Sequence, residues 1–161
     1  MRMRLRQIGV IRTPYKRISN VPMQASYSQG EGTVIVYSKY ARGLKDLGGF
    51  SHLILVYWGH DIDEYFLSRK TMDNRRHGIF ATRSLARSNP IGISIVKLSN
   101  ISDNRLNVKG VDMLDNTPLL DIKPYVHELD SRRRTRRGWY DELTFSEIEH
   151  MSKKVAGRNL R

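Results

Sequence analysis

The sequence contains no cysteine, which excludes disulfide bonds and metal sites with thiolate ligands. It also has no hydrophobic run long enough for a membrane-spanning helix, which needs about 20 apolar residues. The longest run, Leu53 to Trp58, has six. No apolar segment of signal-peptide length follows the basic N-terminus. We therefore expect a cytoplasmic protein in a reducing compartment.

Two glycine-rich nucleotide-binding motifs are missing as well. Gly43, Gly48 and Gly49 match the spacing of neither the dinucleotide-binding fingerprint nor the P-loop. The segment Gly92-Ile93-Ser94 lacks the second glycine of the nucleophile elbow that hydrolases use. These absences argue against a doubly wound nucleotide-binding fold and against an elbow-type serine hydrolase.

Metal-ligating residue types occur near the apolar run, but their spacing does not converge. His52 and His60 lie on the same face of the predicted strand, roughly 26 Å apart if it is straight, because each residue adds ~3.3 Å. The helical His-Glu-x-x-His pattern is absent. We therefore expect no metal site.

Acidic residues are few in comparison with basic ones. The chain has 16 Asp and Glu against 28 Lys and Arg, and its net charge is +12. Such an excess attracts polyanions, so nucleic acid is the first partner to consider. A membrane surface would require a basic amphipathic helix, and none is evident. We expect the arginines of one dense run to contact RNA phosphates, with a plain solvated tail as the alternative: Arg132, Arg133, Arg134, Arg136 and Arg137.

Short apolar segments separated by turns dominate the chain, which is 161 residues long and 39% hydrophobic. With no strand–helix–strand rhythm, they predict a mainly β fold, a small antiparallel β-barrel with a few short peripheral helices. The segment Phe50–Trp58 is nearly continuous in apolar residues, so we expect it to be central and buried on both faces. Strands are predicted at Arg6–Ile11, Thr33–Tyr37, Phe50–Trp58, Gly78–Thr82, Ile91–Leu98, Arg105–Val111 and Pro118–Ile122.

Helices are predicted at three places. Ser38 is expected to cap a short helix that ends at Gly48-Gly49. Residues 61–67 are expected to add a helical turn before a mobile polar connection over residues 68–77. Thr144 and Glu147 form a capping box for a last helix, with an apolar face of Phe145, Ile148, Met151 and Val155. We divide the chain into a barrel domain, 1–128, and a basic C-terminal tail and helix, 129–161.

The segment from His77 to Val96 carries the densest polar chemistry. Arg83 and Arg87 flank a loop rich in hydroxyl groups, and Asn89-Pro90 then forces a turn, because a residue before proline avoids the α region. Loops held between rigid elements are frequent binding sites, so this loop predicts a recognition surface. The alternative is that the arginines are ordinary surface charges.

A second polar segment contains Asp112, Asp115 and Asp121. Three carboxylates beside a proline-containing loop are suited to a cationic ligand in such a basic protein. The alternative is that Asp112 and Asp115 only form turns.

Four stretches in this order resemble the TrmO or TsaA-like family of S-adenosylmethionine-dependent tRNA methyltransferases. They lie within residues 5–125 and read IGVIRTPY (8–15), GFSHLILVYWGH (49–60), GIFATRSLARSNPIGISIV (78–96) and VDMLDNTPLLDIKPY (111–125). The resemblance implies a β-barrel methyltransferase outside the Rossmann class that works as a homodimer, with the cofactor near the subunit interface. The chain departs from the family pattern at Ser88 and at Asn116, where proline and glycine are usual; asparagine tolerates left-handed backbone nearly as glycine does.

The resemblance further implies the cofactor S-adenosylmethionine and a substrate, the exocyclic amine of a threonylcarbamoyl-modified adenosine next to the tRNA anticodon. Arg83 is expected to engage the cofactor carboxylate or a substrate anion, and Asn89 to accept a hydrogen bond from the adenine amine; we assign both as catalytic. Arg87 is expected to bind RNA. The implied cofactor-binding residues are Pro22, Gln24, Ala25, Ser26, His60, Asp61, Arg83, Asp112, Leu114 and Asp115.

Three points stay open at the level of sequence. Tyr15 and Tyr125 either stack on a base or are structural. The chain is either a methyltransferase of this kind or a non-catalytic RNA-binding barrel. The methyl acceptor is either tRNA or another RNA or small molecule.

Overall fold

A closed antiparallel β-barrel forms the body of the molecule, in a computed structural model that describes residues 4–153. Six strands form the barrel in the order β1-β2-β7-β6-β3-β8, and β4 and β5 form a separate hairpin. The predicted antiparallel barrel is thereby confirmed. The strands are β1 (Gly9–Arg12), β2 (Glu31–Val36), β3 (His52–Trp58), β4 (Ser68–Lys70), β5 (Arg76–Gly78), β6 (Ile91–Ser102), β7 (Arg105–Lys109) and β8 (Thr117–Pro124).

Alternate residues of each strand point into the barrel, as the two-residue period of a strand requires. In β3, Leu53, Leu55 and Tyr57 are buried, whereas the residues between them are partly exposed. The expectation that β3 is buried on both faces is therefore wrong. A closed barrel has one inner face, and no layer of helices covers the outer face of β3 among the described residues. The core consists mainly of Ile11, Val34, Val36, Leu53, Leu55, Val96, Leu106, Val108, Val111 and Leu119.

One end of the barrel, called here the loop end, collects the segments that carry the predicted site. The ladder pairs Trp58 with Ile91 and Lys109 with Glu31, so β3 and β7 end where β6 and β2 begin. The same ladder brings the end of β1 next to the start of β8. Residues 13–30, 59–67, 79–90 and 110–116 therefore all meet at this end.

Strand β6 extends beyond its neighbour β7 at the loop end. Lys97 is the β6 residue that pairs with Lys109, the last residue of β7, so residues 91–96 have β3 on one side only. A short 3-10 helix, Ala25–Tyr27, lies against this free side of β6. The site described below forms along this part of β6.

Three predicted segments differ from the structure around the β4–β5 hairpin. The strand expected over Gly78–Thr82 is wrong: β5 ends at Gly78, and Ile79–Ala81 is a 3-10 turn. The hydroxyl of Thr82 closes this turn by donating to the carbonyl of Ile79 at 2.8 Å. Residues 68–77 form the hairpin instead of an irregular connection, and the described structure has no helix over 61–67.

The helix predicted after Ser38 is also different in detail. Two 3-10 helices, Ser38–Leu44 and Leu47–Gly49, occupy this region. Ser38 does not cap them: Tyr37 is the cap residue of the first, and it makes no side-chain capping hydrogen bond. The second helix includes both glycines that were expected to end the first.

Two α-helices follow the barrel, α1 (His127–Asp130) and α2 (Phe145–Lys153). The predicted capping box of α2 is confirmed, with Thr144 N donating to the Glu147 carboxylate at 2.8 Å and Glu147 N donating to Thr144 Oγ1 at 3.2 Å. Phe145 is 72% exposed, so the predicted apolar face is not buried at this residue. Val155 and the side chain of Met151 lie outside the described residues. Among residues 4–153, no helix is long and apolar enough to cross a membrane.

Candidate active site at the loop end of the barrel

Residues 79–90, called here the arginine loop, are held together by the side chain of Arg87. Its Nε donates to the carbonyl of Ser84 at 2.7 Å, and its Nη2 donates to the carbonyls of Thr82 at 2.7 Å and Ile79 at 3.3 Å. The guanidinium is half-buried inside the loop. Arg87 therefore shapes the arginine loop, and these donors are engaged by protein carbonyls.

Arg83, four residues earlier, is in a different state. It is exposed, and within the described part of the chain its side chain makes no hydrogen bond or ion pair. Its positive charge nevertheless lies close enough to lower the pKa values of Asp112 and Tyr57. Arg83 thus presents at the loop end a guanidinium that has no hydrogen bond or ion pair within the described residues.

Asn89 lies at the end of the arginine loop, directly before β6. Its backbone carbonyl accepts a hydrogen bond from Ile91 N at 2.7 Å, while its exposed side chain has no hydrogen-bond partner in the described residues. The following residue, Pro90, accepts a 2.7 Å hydrogen bond from Gly59 N at the end of β3. This bond brings His60 and Asp61, both exposed, to the same end as Asn89.

Asp112 is the central acidic residue of the site. Ser94 Oγ donates to its Oδ1 at 2.5 Å, and the Tyr57 hydroxyl lies 3.2 Å from the same serine oxygen. Because serine has one hydroxyl hydrogen, a chain in which Tyr57 donates to Ser94 and Ser94 to an ionised Asp112 uses every donor once. Burial raises the pKa of Asp112 from 3.8 to about 6, although hydrogen bonds from Ser94 and Ala25 and the charge of Arg83 oppose this rise.

Tyr57 responds to the same environment. Burial raises the pKa of its hydroxyl, and the nearby charge of Asp112 raises it further. The hydroxyl therefore stays protonated and acts as a hydrogen-bond donor at the inner wall of the site.

Asp115 is committed to the structure of residues 110–116, called here the aspartate loop. Its Oδ1 accepts hydrogen bonds from Arg12 Nε at 3.1 Å and Thr13 N at 2.9 Å, and its Oδ2 accepts one from Lys16 Nζ at 2.5 Å. Burial favours a higher pKa for Asp115, but the hydrogen bonds from Lys16 and Thr13 and the charge of Arg12 lower it below its usual value. Asp115 therefore joins the aspartate loop to the end of β1.

The segment before β2 docks on the aspartate loop through Ser28. Ser28 Oγ donates to the carbonyl of Val111 at 2.5 Å and accepts from Gly30 N at 3.0 Å. Gly110 N donates to the carbonyl of Gly30 at 2.8 Å. These bonds bring the short helix Ala25–Tyr27, together with the preceding Gln24, next to Asp112.

Comparison with known proteins assigns the chain to a family. Residues 10–131 match the model of the tRNA-methyltransferase O N-terminal domain. The chain belongs to this family. The predicted resemblance to TrmO is therefore confirmed.

Individual TrmO-family relatives agree with the match. The chain is 48% identical over 139 residues to a probable S-adenosyl-L-methionine-binding protein of Pyrococcus abyssi, covering 85% of this chain and 76% of that protein. It is 37% identical over 132 residues to the tRNA (adenine(37)-N6)-methyltransferase of Escherichia coli, covering 74% of this chain and 56% of the enzyme. A crystal structure of TrmO superposes with a TM-score of 0.75 at 33% identity, covering 86% of this chain and 64% of that one.

The structure gathers most residues that the TrmO resemblance had singled out. The arginine loop, the segment before β2, the turn after β3 and the aspartate loop all lie at the loop end. The left-handed backbone expected at Asn116 is confirmed, with φ of 64°. Their roles in binding and catalysis remain predictions.

Two site residues, Tyr57 and Ser94, were missed in the sequence. Ser94 is a polar residue in the otherwise apolar inward-facing series of β6, and this was the available signal. The neighbouring Gly92 makes room for Tyr57, because a Cβ at that position would lie 2.2 Å from the phenol ring. Tyr57 itself reads as an ordinary core aromatic until its partner is known.

The two tyrosines with open roles both have structural contacts. The hydroxyl of Tyr15 lies 3.2 Å from Ser28 Oγ, and its ring packs against Gly30. Tyr125 makes an edge contact with His52, at a centroid distance of 6.4 Å, and His52 begins β3 at the opposite end of the barrel. The position of Tyr125 therefore favours the structural role.

The basic run after the barrel is exposed. Arg132 donates to the carbonyls of Leu129 and Ser131, and Arg137 pairs with Asp141 at 2.9 Å. Within the described structure the other three arginines, Arg133, Arg134 and Arg136, have no hydrogen bond or ion pair. No group of three or more metal-ligating side chains occurs among residues 4–153.

Proposed function

We propose that this chain is an S-adenosylmethionine-dependent methyltransferase that methylates the exocyclic N6 amine of an adenosine in tRNA. We further propose that this adenosine lies next to the anticodon and carries a threonylcarbamoyl group. The observation that carries the proposal is the pair of Arg83 and Asp112, two opposite charges without a mutual ion pair, at the loop end of a TrmO-family barrel.

The charges of Arg83 and Asp112 are complementary to the charged groups of this cofactor. S-adenosylmethionine carries a carboxylate, an ammonium and a sulfonium, and it supplies a methyl group that the sulfonium makes electrophilic. Arg83 would hold the carboxylate, for which a guanidinium is suited, and Asp112 would hold the cationic groups. The surrounding residues would complete the binding site: Pro22, Gln24, Ala25, Ser26, His60, Asp61 and Leu114.

Asp115 is assigned to this site in a supporting role. Three of its protein partners are charged or backbone donors from β1 and the segment that follows. We propose that it fixes the backbone between Asp112 and Leu114, so that these residues meet the cofactor. Arg87, expected to bind RNA, would act similarly by fixing the position of Arg83.

The remaining task of the protein is alignment of the acceptor amine with the methyl group. The Asn89 carboxamide oxygen would accept a hydrogen bond from the amine and direct its lone pair toward the methyl group. Holding two reactants in line can lower a barrier by roughly 7 to 11 kcal/mol in favourable cases. The side chain of Asn89 is suited to this role because it is exposed beside the rigid start of β6.

The tRNA would be captured mainly through charge. The net charge of +12 and the exposed arginines between residues 132 and 137 provide phosphate contacts that do not depend on sequence. We propose that these contacts position the anticodon region over the loop end.

A homodimer is supported by an apolar strip on the outer face of β3 and β6. The strip pairs Ile54 with Ile95, Val56 with Ile93 and Trp58 with Ile91. Ile93 is 57% exposed and Ile95 46% exposed. Exposed apolar side chains grouped on one face are typical of protein interfaces. Strand β6 carries Ser94 on its opposite face, which would place the cofactor near the dimer contact. Sedimentation velocity of the purified chain tests the dimer.

Calorimetric titration with S-adenosylmethionine, without RNA, is the first test of the function. We expect saturable binding near one molecule per chain, with affinity around micromolar, or about −8 kcal/mol. Incubation with methyl-labelled cofactor and tRNA should then yield a nucleoside that mass spectrometry identifies as N6-methylated. Absence of cofactor binding, with RNA binding retained, would instead identify a non-catalytic RNA-binding barrel.

A further inference from the structure

A short segment beyond the family match folds back onto the site. The 3-10 helix Gly138–Glu142, called here the anchor segment, follows the last matched residue, 131. Within it, Trp139 Nε1 donates to the carbonyl of Ala81 in the arginine loop at 2.8 Å. The indole also stacks on the ring of His77, with centroids 4.9 Å apart and planes inclined by 15°.

Further contacts hold the anchor segment against the β4–β5 hairpin. His77 Nε2 lies 2.8 Å from Asp73 Oδ2, which fixes the imidazole under the indole. Arg75, in the turn of the same hairpin, pairs with Glu142 at 2.9 Å. The anchor segment is thus attached at both of its ends to residues that precede Arg83.

This attachment determines where Tyr140 lies. Its ring stacks on Trp139 at a centroid distance of 3.9 Å and an angle of 24°, and it stays partly exposed. Because Trp139 is bonded to Ala81, two residues before Arg83, the phenol lies at the same end of the barrel as that guanidinium. Burial raises the pKa of Tyr140, and the charge of Arg83 opposes this rise. Helix α2, which follows, lies against the short helix Ala25–Tyr27. The anchor segment and α2 therefore lie at the same end of the barrel as Asp112.

We propose that Tyr140 is a nucleobase-stacking residue of this site. An aromatic ring fixed on one face by a second ring, and held against the loop that carries an exposed guanidinium, is suited to the flat base and the anionic group of a nucleotide-like ligand. The inference rests on the proposed function, which supplies two sources of the base: the adenine of the cofactor and an unpaired base of the tRNA.

Two substitutions separate stacking from simple space filling. Tyr140→Leu removes the aromatic face but keeps an apolar side chain, whereas Tyr140→Phe keeps the aromatic face and removes only the hydroxyl. Tyr37→Ala is the matched control, because Tyr37 is a partly exposed tyrosine at the opposite end of the barrel. Each full-length variant is titrated with S-adenosylmethionine by calorimetry and with an anticodon stem-loop RNA by fluorescence anisotropy. Thermal unfolding checks that all variants are folded.

We expect Tyr140→Leu to weaken the binding of one of the two ligands by about 5- to 100-fold. The affinities of Tyr140→Phe and Tyr37→Ala should stay within about twofold of wild type. Weaker cofactor binding identifies the base as the adenine of S-adenosylmethionine, and weaker RNA binding identifies it as a tRNA base. Unchanged affinities in Tyr140→Leu, or equal losses in Tyr140→Leu and Tyr140→Phe, overturn the inference.

The same experiment separates this inference from the proposed function. If the wild-type chain transfers methyl groups but Tyr140→Leu binds both ligands normally, only the stacking role fails. If the wild-type chain transfers no methyl group, yet its affinity for either ligand depends on the aromatic ring of Tyr140, the stacking role stands and the proposed reaction fails.

Discussion

The arginine loop and the aspartate loop carry opposite charges but share one arrangement: one charged residue holds the loop together, and the other has no ion-pair partner. Each contains two like-charged residues a few positions apart. In the arginine loop, Arg87 donates to three backbone carbonyls while Arg83 is unpaired. In the aspartate loop, Asp115 accepts from Arg12, Thr13 and Lys16. Asp112 instead keeps its charge beside a serine hydroxyl, in an environment that disfavours ionisation.

The comparison shows how the fold positions two charged side chains, Arg83 and Asp112, that have no ion-pair partner in the described residues. A partly buried charge without an ion pair, such as that of Asp112, is unfavourable, so the backbone that carries it must be fixed by other interactions. The arginine loop is fixed by hydrogen bonds from Arg87 to the loop's own carbonyls. The aspartate loop is fixed by two cations and a backbone N–H from the end of β1 and the residues that follow it. In both, the residue with satisfied partners stabilises the loop, and its neighbour is the one that we propose binds the ligand.

The largest expected effect is the loss of activity when Arg83 is replaced. Arg83→Ala should lower turnover by about 100-fold or more, because it removes a charged partner of the cofactor or substrate. The midpoint of thermal unfolding should stay close to that of wild type, since Arg83 makes no hydrogen bond or ion pair in the described structure. Arg42→Ala, an exposed arginine of the segment after β2, is the control for loss of charge. Full activity of Arg83→Ala would remove Arg83 from the site.

Arg87 should behave in the opposite manner. Arg87→Met leaves three carbonyls without their donor, so we expect the free energy of unfolding to fall by about 2 kcal/mol. Urea denaturation measures this loss. Arg87→Lys should recover only part of it, because one ammonium cannot reproduce a planar guanidinium. An unchanged stability in Arg87→Met, with weaker RNA binding alone, would restore the role of a phosphate contact.

The two aspartates should give opposite dependences of stability on pH. The pKa of Asp112 is raised from 3.8 to about 6, so the folded chain binds more protons than the unfolded chain between these values. Its contribution to the free energy of unfolding therefore falls as pH rises from about 4 to 6. The pKa of Asp115 is lowered, so its stabilising contribution is present above 3.8 and is lost as pH falls through the folded value.

Asp112→Asn should therefore be more stable than wild type at pH 8, by about 1 to 3 kcal/mol, and lose most of its cofactor affinity. Asp115→Asn should be less stable than wild type at the same pH. Urea denaturation from about pH 2 to pH 8, with calorimetric titration of the cofactor at pH 8, measures both effects. Equal slopes of the free energy of unfolding against pH in the two variants would contradict the different environments assigned to Asp112 and Asp115.

The smallest effect is expected for the exposed arginines outside both loops. Replacing Arg133, Arg134 and Arg136 by alanine should weaken tRNA binding about tenfold and reduce the slope of log affinity against log salt by about 2 to 3. Cofactor affinity should not change. Removing the same charge at Lys39, Arg42 and Lys45, on the segment after β2, is the control. Equal losses in both triple variants would indicate attraction by net charge alone.

Much of the fold could be predicted from local patterns, because the barrel strands and the capping box of α2 depend on residues close together in sequence. The β4–β5 hairpin could not, since its strands have three residues each and contain little apolar character. The alternating burial of β3 was also missed. Its outward-facing residues Ile54, Val56 and Trp58 are as apolar as its inward-facing ones, so the pattern gave no sign of a single inner face.

The membership of the site was partly predictable, but the roles within it were not. Arg83 and Arg87 are the same residue type in one loop, and only the convergence of three carbonyls around Arg87 distinguishes them. The contact of Ser94 with Asp112 depends on β6 extending past β7, which is a matter of strand register. Register is set by the whole barrel and leaves little trace in a single segment.

Closure of the barrel by β1 and β8 has a consequence for how this protein is made. Ile11 pairs with Thr117, and the bond from Thr13 to Asp115 spans 102 positions of the chain. Contacts of such long range form late and slowly, because the intervening chain must first lose its freedom. During synthesis on the ribosome, neither Asp115 nor the backbone around Asp112 can reach its final position until β8 has emerged. Methyl-donor binding should therefore appear in a single step once β8 has emerged, and it would indicate that the barrel has closed.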